Sequence, residues 1–126
     1  MPYSVPILTI RDILVVPIQV DMDDSTVSRL QNDILQKLDM TGARGVLIDI
    51  SVLTMVDSYF GRMLADTARM AGLMDARLVI TGMQPAVAIT LVELGLQLDN
   101  LHSALDLESG ISLLEMIIER DGGSRR

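Results

Sequence analysis

Val46-Leu47-Ile48-Asp49-Ile50 is an apolar run broken by one acid, and Ser51-Val52-Leu53-Thr54-Met55-Val56-Asp57-Ser58-Tyr59-Phe60-Gly61 carries the chain onward from it. A short continuous apolar run suits a strand covered by helices. From Phe60 onward, Met63, Leu64, Thr67 and Met70 recur on one helical face, with Gly72 as the expected stop. The stretch therefore reads as strand, loop and helix. In open α/β sheets, function gathers at the carboxyl ends of strands and the amino ends of helices. The junction from Asp49 to Ser58 is such a place.

The pattern repeats on either side. Leu78-Val79-Ile80-Thr81-Gly82 reads as another strand, and Ile13 to Val20 as an earlier one rich in β-branched residues. Pro17 lies inside that earlier run and lacks a ladder donor, which predicts an edge position or a bulge. Val5 to Ile10 is a weaker first strand, able to pair with Ile13–Val20 across Arg11-Asp12 as a hairpin, and Leu101–Leu105 suggests a last one. Val27, Leu30, Ile34 and Leu38 mark one face of a helix, preceded by the cap candidates Asp23, Asp24 and Ser25 and ended by Gly42. Pro85 opens a third helix carrying Val87, Leu91 and Leu94, with Gly95 at its end. Ile111, Leu114 and Ile118 make the last stripe. A hairpin followed by alternating helices and strands predicts an α/β fold with a mixed sheet, mostly parallel, and helices packed on it.

Composition narrows the function. The chain has 126 residues, which suits one domain, and 10 basic against 17 acidic residues give a formal charge of −7. That balance, with three aromatic residues in all, argues against nucleic acid or an anionic membrane as a main ligand. Cysteine is absent and His102 is the only histidine, so thiolate chemistry and His-rich metal sites are excluded. Met1-Pro2-Tyr3-Ser4 lacks the basic and apolar segments of a secretory signal, and no apolar run is long enough for a membrane span. The expectation is a soluble, cytoplasmic protein with one domain over residues 1–120 and a flexible tail over 121–126. No cofactor and no metal is implied.

The strand ending at Asp49, the loop, and Asp57-Ser58 opening a helix with Gly61 close behind resemble the STAS domain of anti-sigma-factor antagonists. The resemblance spans essentially the whole chain, hairpin and helix order included, so it implies a STAS-type sheet. Within that family the chain is most similar to the RsbS-type stressosome branch, whose members are lone domains with Asp-Ser followed by a bulky residue, here Tyr59. Many antagonists place a second Ser or Thr and a Gly directly after the pair, whereas here Tyr59 and Phe60 precede Gly61. The resemblance implies that Ser58 is the residue phosphorylated by a partner serine kinase. It implies a non-enzymatic phospho-switch and scaffold in general stress and sigma-factor regulation. Such a chain self-associates with RsbR-type co-antagonists, holds an RsbT-type serine/threonine switch kinase, releases it on phosphorylation, and is reset by a phosphatase.

Other roles for these residues stay open at this level. Ser58 or Asp57 serves as the helix cap. Asp49 either closes its loop or, with Asp57, shapes a surface around Ser58. Phe60 belongs to the core, and Tyr59 points outward as a partner contact. Thr81 and Gly82 either line the same surface or form an ordinary strand-to-helix turn. Three different functions compete: an assembly module that is never phosphorylated, a phospho-aspartate receiver domain using Asp49, and a small hydrolase or transferase using Asp49, Asp57 and Ser58, for which no base with an orienting partner is readable. The receiver needs a lysine late in the chain to neutralise the phosphoryl charge, and the only lysine is Lys37.

Overall fold

The computed structural model describes residues 4–96 and 101–124. Its elements run β1 (Leu8–Ile10), β2 (Ile13–Pro17), α1 (Asp24–Thr41), β3 (Gly45–Asp49), α2 (Ser58–Leu73), β4 (Arg77–Thr81), α3 (Pro85–Glu93), β5 (Leu101–Ala104) and α4 (Leu107–Ser124). The strands form one sheet in the order β1-β2-β3-β4-β5. β1 pairs antiparallel with β2 through Leu8↔Val15 and Ile10↔Ile13, leaving Arg11-Asp12 as a two-residue loop with Arg11 at φ 54°. The remaining pairs are parallel. The hairpin, the mixed sheet and the element order agree with the sequence reading.

Strands added successively in one direction, joined by crossovers of one hand, place all their connecting helices on one face. Burial follows that rule. Leu14, Val16, Ile18, Val46, Ile48, Ile50, Leu78 and Ile80 face a core shared with α1, α2 and α3. The alternate residues Ile13, Val15, Leu47 and Val79 face a smaller core closed by Leu114 of α4. The alternation is the period-two geometry of a strand, and each buried aliphatic side chain contributes about 1.5–3 kcal/mol.

Local chemistry sets the helix ends. Asp23 caps α1 by accepting from the Thr26 amide at 2.8 Å, and Gly42 closes it at φ 68°. Gly72 does not stop α2. The left-handed residue is Asp75 at φ 65°, and the Ala76 and Asp75 amides reach back to the Ala71 and Gly72 carbonyls at 2.8 and 3.3 Å. Aspartate tolerates that conformation better than most side chains, so the stop falls later than glycine alone suggested.

Three other boundaries shift. The first strand is confined to Leu8–Ile10, while Val5 lies before it with its side chain buried in the main core. Pro17 ends β2 beyond the reach of β1, whose pairing stops at Val15, so its missing amide costs no ladder bond on that side. Asp121–Ser124, assigned from sequence to a flexible tail, are helical residues of α4. There Asp121 pairs with Arg77 at 3.3 Å, and a cation beside a helix carboxyl end is electrostatically favoured.

Candidate functional site

The loop after β3 delivers Asp57 in an extended conformation, φ −108° and ψ −179°, so that its carboxylate accepts from the Phe60 amide at 2.9 Å. Asp57 is therefore the cap of α2, and Ser58 is its first helical residue. The Ser58 side chain is exposed, and its hydroxyl makes no hydrogen bond to another described residue. Phe60 turns into the main core, as expected from its stripe. Tyr59 lies partly over the surface at 37% exposure, and its hydroxyl shares a hydrogen bond with Ser28 of α1.

That bond spans a groove of about 310 Å³ between α1 and α2. Ser58, Tyr59 and Arg62 line it from α2, and Ser28 and Gln31 from α1. Below them Gln31 donates to Thr67 at 3.0 Å, tying the helices together. Asp57 lies on the other side of the helix start. There, with Asp21, it rims an apolar dish floored by Leu53, Val56 and Phe60 and flanked by Val20 and Met55.

Asp49, Thr81 and Gly82 form a separate cluster at the carboxyl ends of β3 and β4. Asp49 accepts from the Thr81 hydroxyl through one carboxylate oxygen and from the Ser51 hydroxyl through the other, each at 3.0 Å. Gln84 adds a bond to the Ser51 carbonyl at 2.9 Å. Gly82 sits at φ 74°, and a Cβ there would lie 2.6 Å from Ser51 Cβ and 2.9 Å from Asp49 Oδ1. Only glycine fits. Thr81 is fully buried, so it shapes the surface through Asp49 rather than forming it. Of the six residues singled out from the sequence, the structure thus sets Ser58 and Tyr59 in the groove, Asp57 beside them in sequence but facing the apolar dish, and Asp49, Thr81 and Gly82 together at the strand ends. Asp49 is the anchored last residue of β3 with both oxygens engaged, and it does not line the groove beside Ser58.

Sequence reasoning missed Ser28 and Arg62. Arg62 carries a readable signal, since it lies one helical turn after Ser58. Ser28 has none, because its contact exists only once α1 and α2 pack. Gly110 was missed as well. A Cβ there would collide with Thr81 Cγ2 and lie 2.8 Å from Leu47 Cδ1, so this glycine lets the first turn of α4 settle directly under the Asp49 cluster. Among the described residues no group of three or more His, Asp or Glu side chains is placed to hold a metal, and no helix is long and apolar enough to cross a membrane.

Comparison with known proteins gives the following. The STAS domain family model matches residues 4–116. The structure described as Moorella thermoacetica RsbS S58E has a TM-score of 0.83 and 38% identity, covering 93% of this chain and 99% of that one. A chain from the structure described as "Molecular architecture of the stressosome, a signal integration and transduction hub" has a TM-score of 0.74 and 36% identity, covering 89% of this chain and 97% of that one. RsbT co-antagonist protein RsbRA of Bacillus subtilis (strain 168) is 27% identical over 115 residues, which is 90% of this chain. The chain spans 42% of the length of that curated relative.

Proposed function

Because the chain belongs to the STAS-domain family, as an RsbS-type anti-sigma-factor antagonist, we propose that it is a non-enzymatic stressosome component acting as a phospho-switch. In this reading it assembles with copies of itself and with RsbR-type co-antagonists in the cytoplasm. It holds an RsbT-type serine/threonine switch kinase and releases it when Ser58 is phosphorylated, and a phosphatase restores the starting state. The names of the stressosome chain and of the RsbT co-antagonist relative support the assembly. The Moorella variant named S58E carries its Ser-to-Glu change at the same residue number.

The observation that carries the proposal is the division of labour at the start of α2. Asp57 satisfies the cap, so the exposed Ser58 hydroxyl has no structural bond to give up. A phosphate there adds about −1.5 to −2 charge, and the adjoining helix end favours a negative group by roughly 0.3–1 kcal/mol. Asp57 opposes it. The fold survives while the docking surface turns strongly negative, so a bound partner is displaced by local charge and bulk rather than by refolding.

The test is incubation with ATP and an RsbT-type kinase, followed by site-resolved mass spectrometry, with Ser58→Ala alongside. Phosphate confined to Ser58, with loss of the kinase complex on gel filtration, is the expected result. No phosphate from a kinase proven active on another substrate would reduce the chain to a structural assembly module.

A further inference from the structure

Arg62 stands one helical turn beyond Ser58 on α2, and the two side chains line the same groove. Residues four apart on a helix have Cβ atoms about 5–6 Å apart, within reach of an arginine. The Arg62 side chain is exposed and takes part in no ion pair with another described residue. Its neighbours on α2 are already engaged. Asp66, the only acid among the described residues lining the groove, pairs with Arg69, and Tyr59 is bonded to Ser28. From α1 the groove receives Val27, Ser28 and Gln31, all uncharged. Asp57, the nearest acid in sequence, directs its carboxylate to the Phe60 amide. Among its described lining residues the groove thus holds one uncommitted cation, at a fixed spacing from the free Ser58 hydroxyl at the start of the helix.

We propose that Arg62 is the intramolecular partner of the phosphate on Ser58, drawing it over the groove between α1 and α2. The inference rests on the phospho-switch reading and says where the new charge goes. Guanidinium pairs with phosphate through parallel N–H···O bonds, and an anion placed four residues before a cation is the favourable order on a helix. The pairing changes what a partner meets. A phosphate left in solvent acts through its charge alone. A phosphate held by Arg62 also covers the groove wall formed by Ser28 and Tyr59 and removes Arg62 from the docking surface. Arg62 is a positioning residue in this scheme, and the unmodified chain does not need it for its fold.

The test places phosphoserine at position 58 by co-translational incorporation, so no kinase is required, and follows its second ionisation by phosphorus NMR. In Arg62→Gln the phosphate pKa is expected to rise by roughly 0.2–0.7 unit, the range of an exposed ion pair. Arg62→Lys keeps the charge without the fork and falls between the two. Arg120→Gln, a loss of equal charge on α4 away from the groove, leaves the phosphate pKa where it was. Amide spectra of the unphosphorylated Arg62→Gln chain should overlay the parent outside the substituted turn. Equal phosphate pKa values with and without Arg62 would overturn the proposal, as would an equal rise in Arg120→Gln. Failure of the phospho-switch itself reads differently: the kinase would then bind the phosphoserine chain as tightly as the unmodified one, whatever the pKa.

Discussion

Thr81 donates its hydroxyl to Asp49 Oδ1 at 3.0 Å, and the two residues are also register partners across β3 and β4. The bond lies at the point where both strands end and their loops diverge. Thr81→Val keeps the shape but leaves that carboxylate oxygen without its donor. A loss of about 0.5–1.5 kcal/mol is expected by urea denaturation. Phosphorylation of Ser58 should proceed as before, because the Asp49 cluster and the Ser58 groove share no lining residue.

Asp57 and Ser58 are neighbours with opposite structural weights. Asp57→Ala removes the cap of α2 and should cost about 0.5–2 kcal/mol. Ser58→Ala removes an exposed hydroxyl without a bond and should stay within about 0.5 kcal/mol of the parent. Thermal melts of the two variants decide it. If Ser58→Ala proved the more destabilising, the cap would be misassigned.

Two helical glycines should respond to alanine with opposite signs. At Gly72 a Cβ meets nothing within 4 Å, so Gly72→Ala gains about 0.4–1 kcal/mol from reduced backbone entropy. At Gly110 a Cβ runs into Thr81 Cγ2 and the Leu47 side chain, both on fully buried residues. Overpacking there costs about 1–3 kcal/mol, more than the helix gain returns. Paired denaturation curves should show the first midpoint rising and the second falling.

Acid should loosen two helix starts. Asp23 and Asp106 are held below the ordinary carboxyl value of 3.8, chiefly by amide hydrogen bonds from Thr26 and Ser109. A depressed carboxyl binds its proton more readily in the unfolded chain. The stability it gives is therefore complete above 3.8 and is lost as pH falls through the lower folded value. The Thr26 and Ser109 amide resonances should titrate with midpoints below 3.8. A midpoint at or above that value contradicts the capping bonds.

Ser58→Asp should weaken kinase binding less than phosphorylation does, since one carboxylate carries a single charge against about −1.5 to −2. Titration calorimetry on the unmodified, Ser58→Asp and phosphorylated chains should rank them in that order. Binding of Ser58→Asp equal to that of the unmodified chain would remove charge as the releasing force.

Features set by nearest neighbours were readable in advance. Asp23 and Gly42 at the ends of α1, the β-branched apolar run through Ile13–Val16 and the stripe from Phe60 are local patterns. Features set by distant contacts were not. Asp121–Ser124 looked like a tail because their helix is held by Arg77, a residue far away in sequence. Gly61 and Gly110 gave no sign that they mark close approaches, since the leucines and the threonine that crowd them arrive only with the tertiary fold. Asp57-Ser58 was legible as a helix start, but the choice between them as cap waited on where each side chain points. Asp49 was legible as a strand end, while its bond to Thr81 depends on β3 and β4 lying in register.

The sheet ends on strands of three and four residues, β1 and β5. A free strand margin is a template on which another chain can zip by backbone pairing, and short margins make poor templates. Copies crowded together therefore gain little by merging their sheets into a fibre. Contact between them would then fall to side chains on helices and loops. An interface of that kind would be open to adjustment by added charge, whereas a backbone ladder would be indifferent to it.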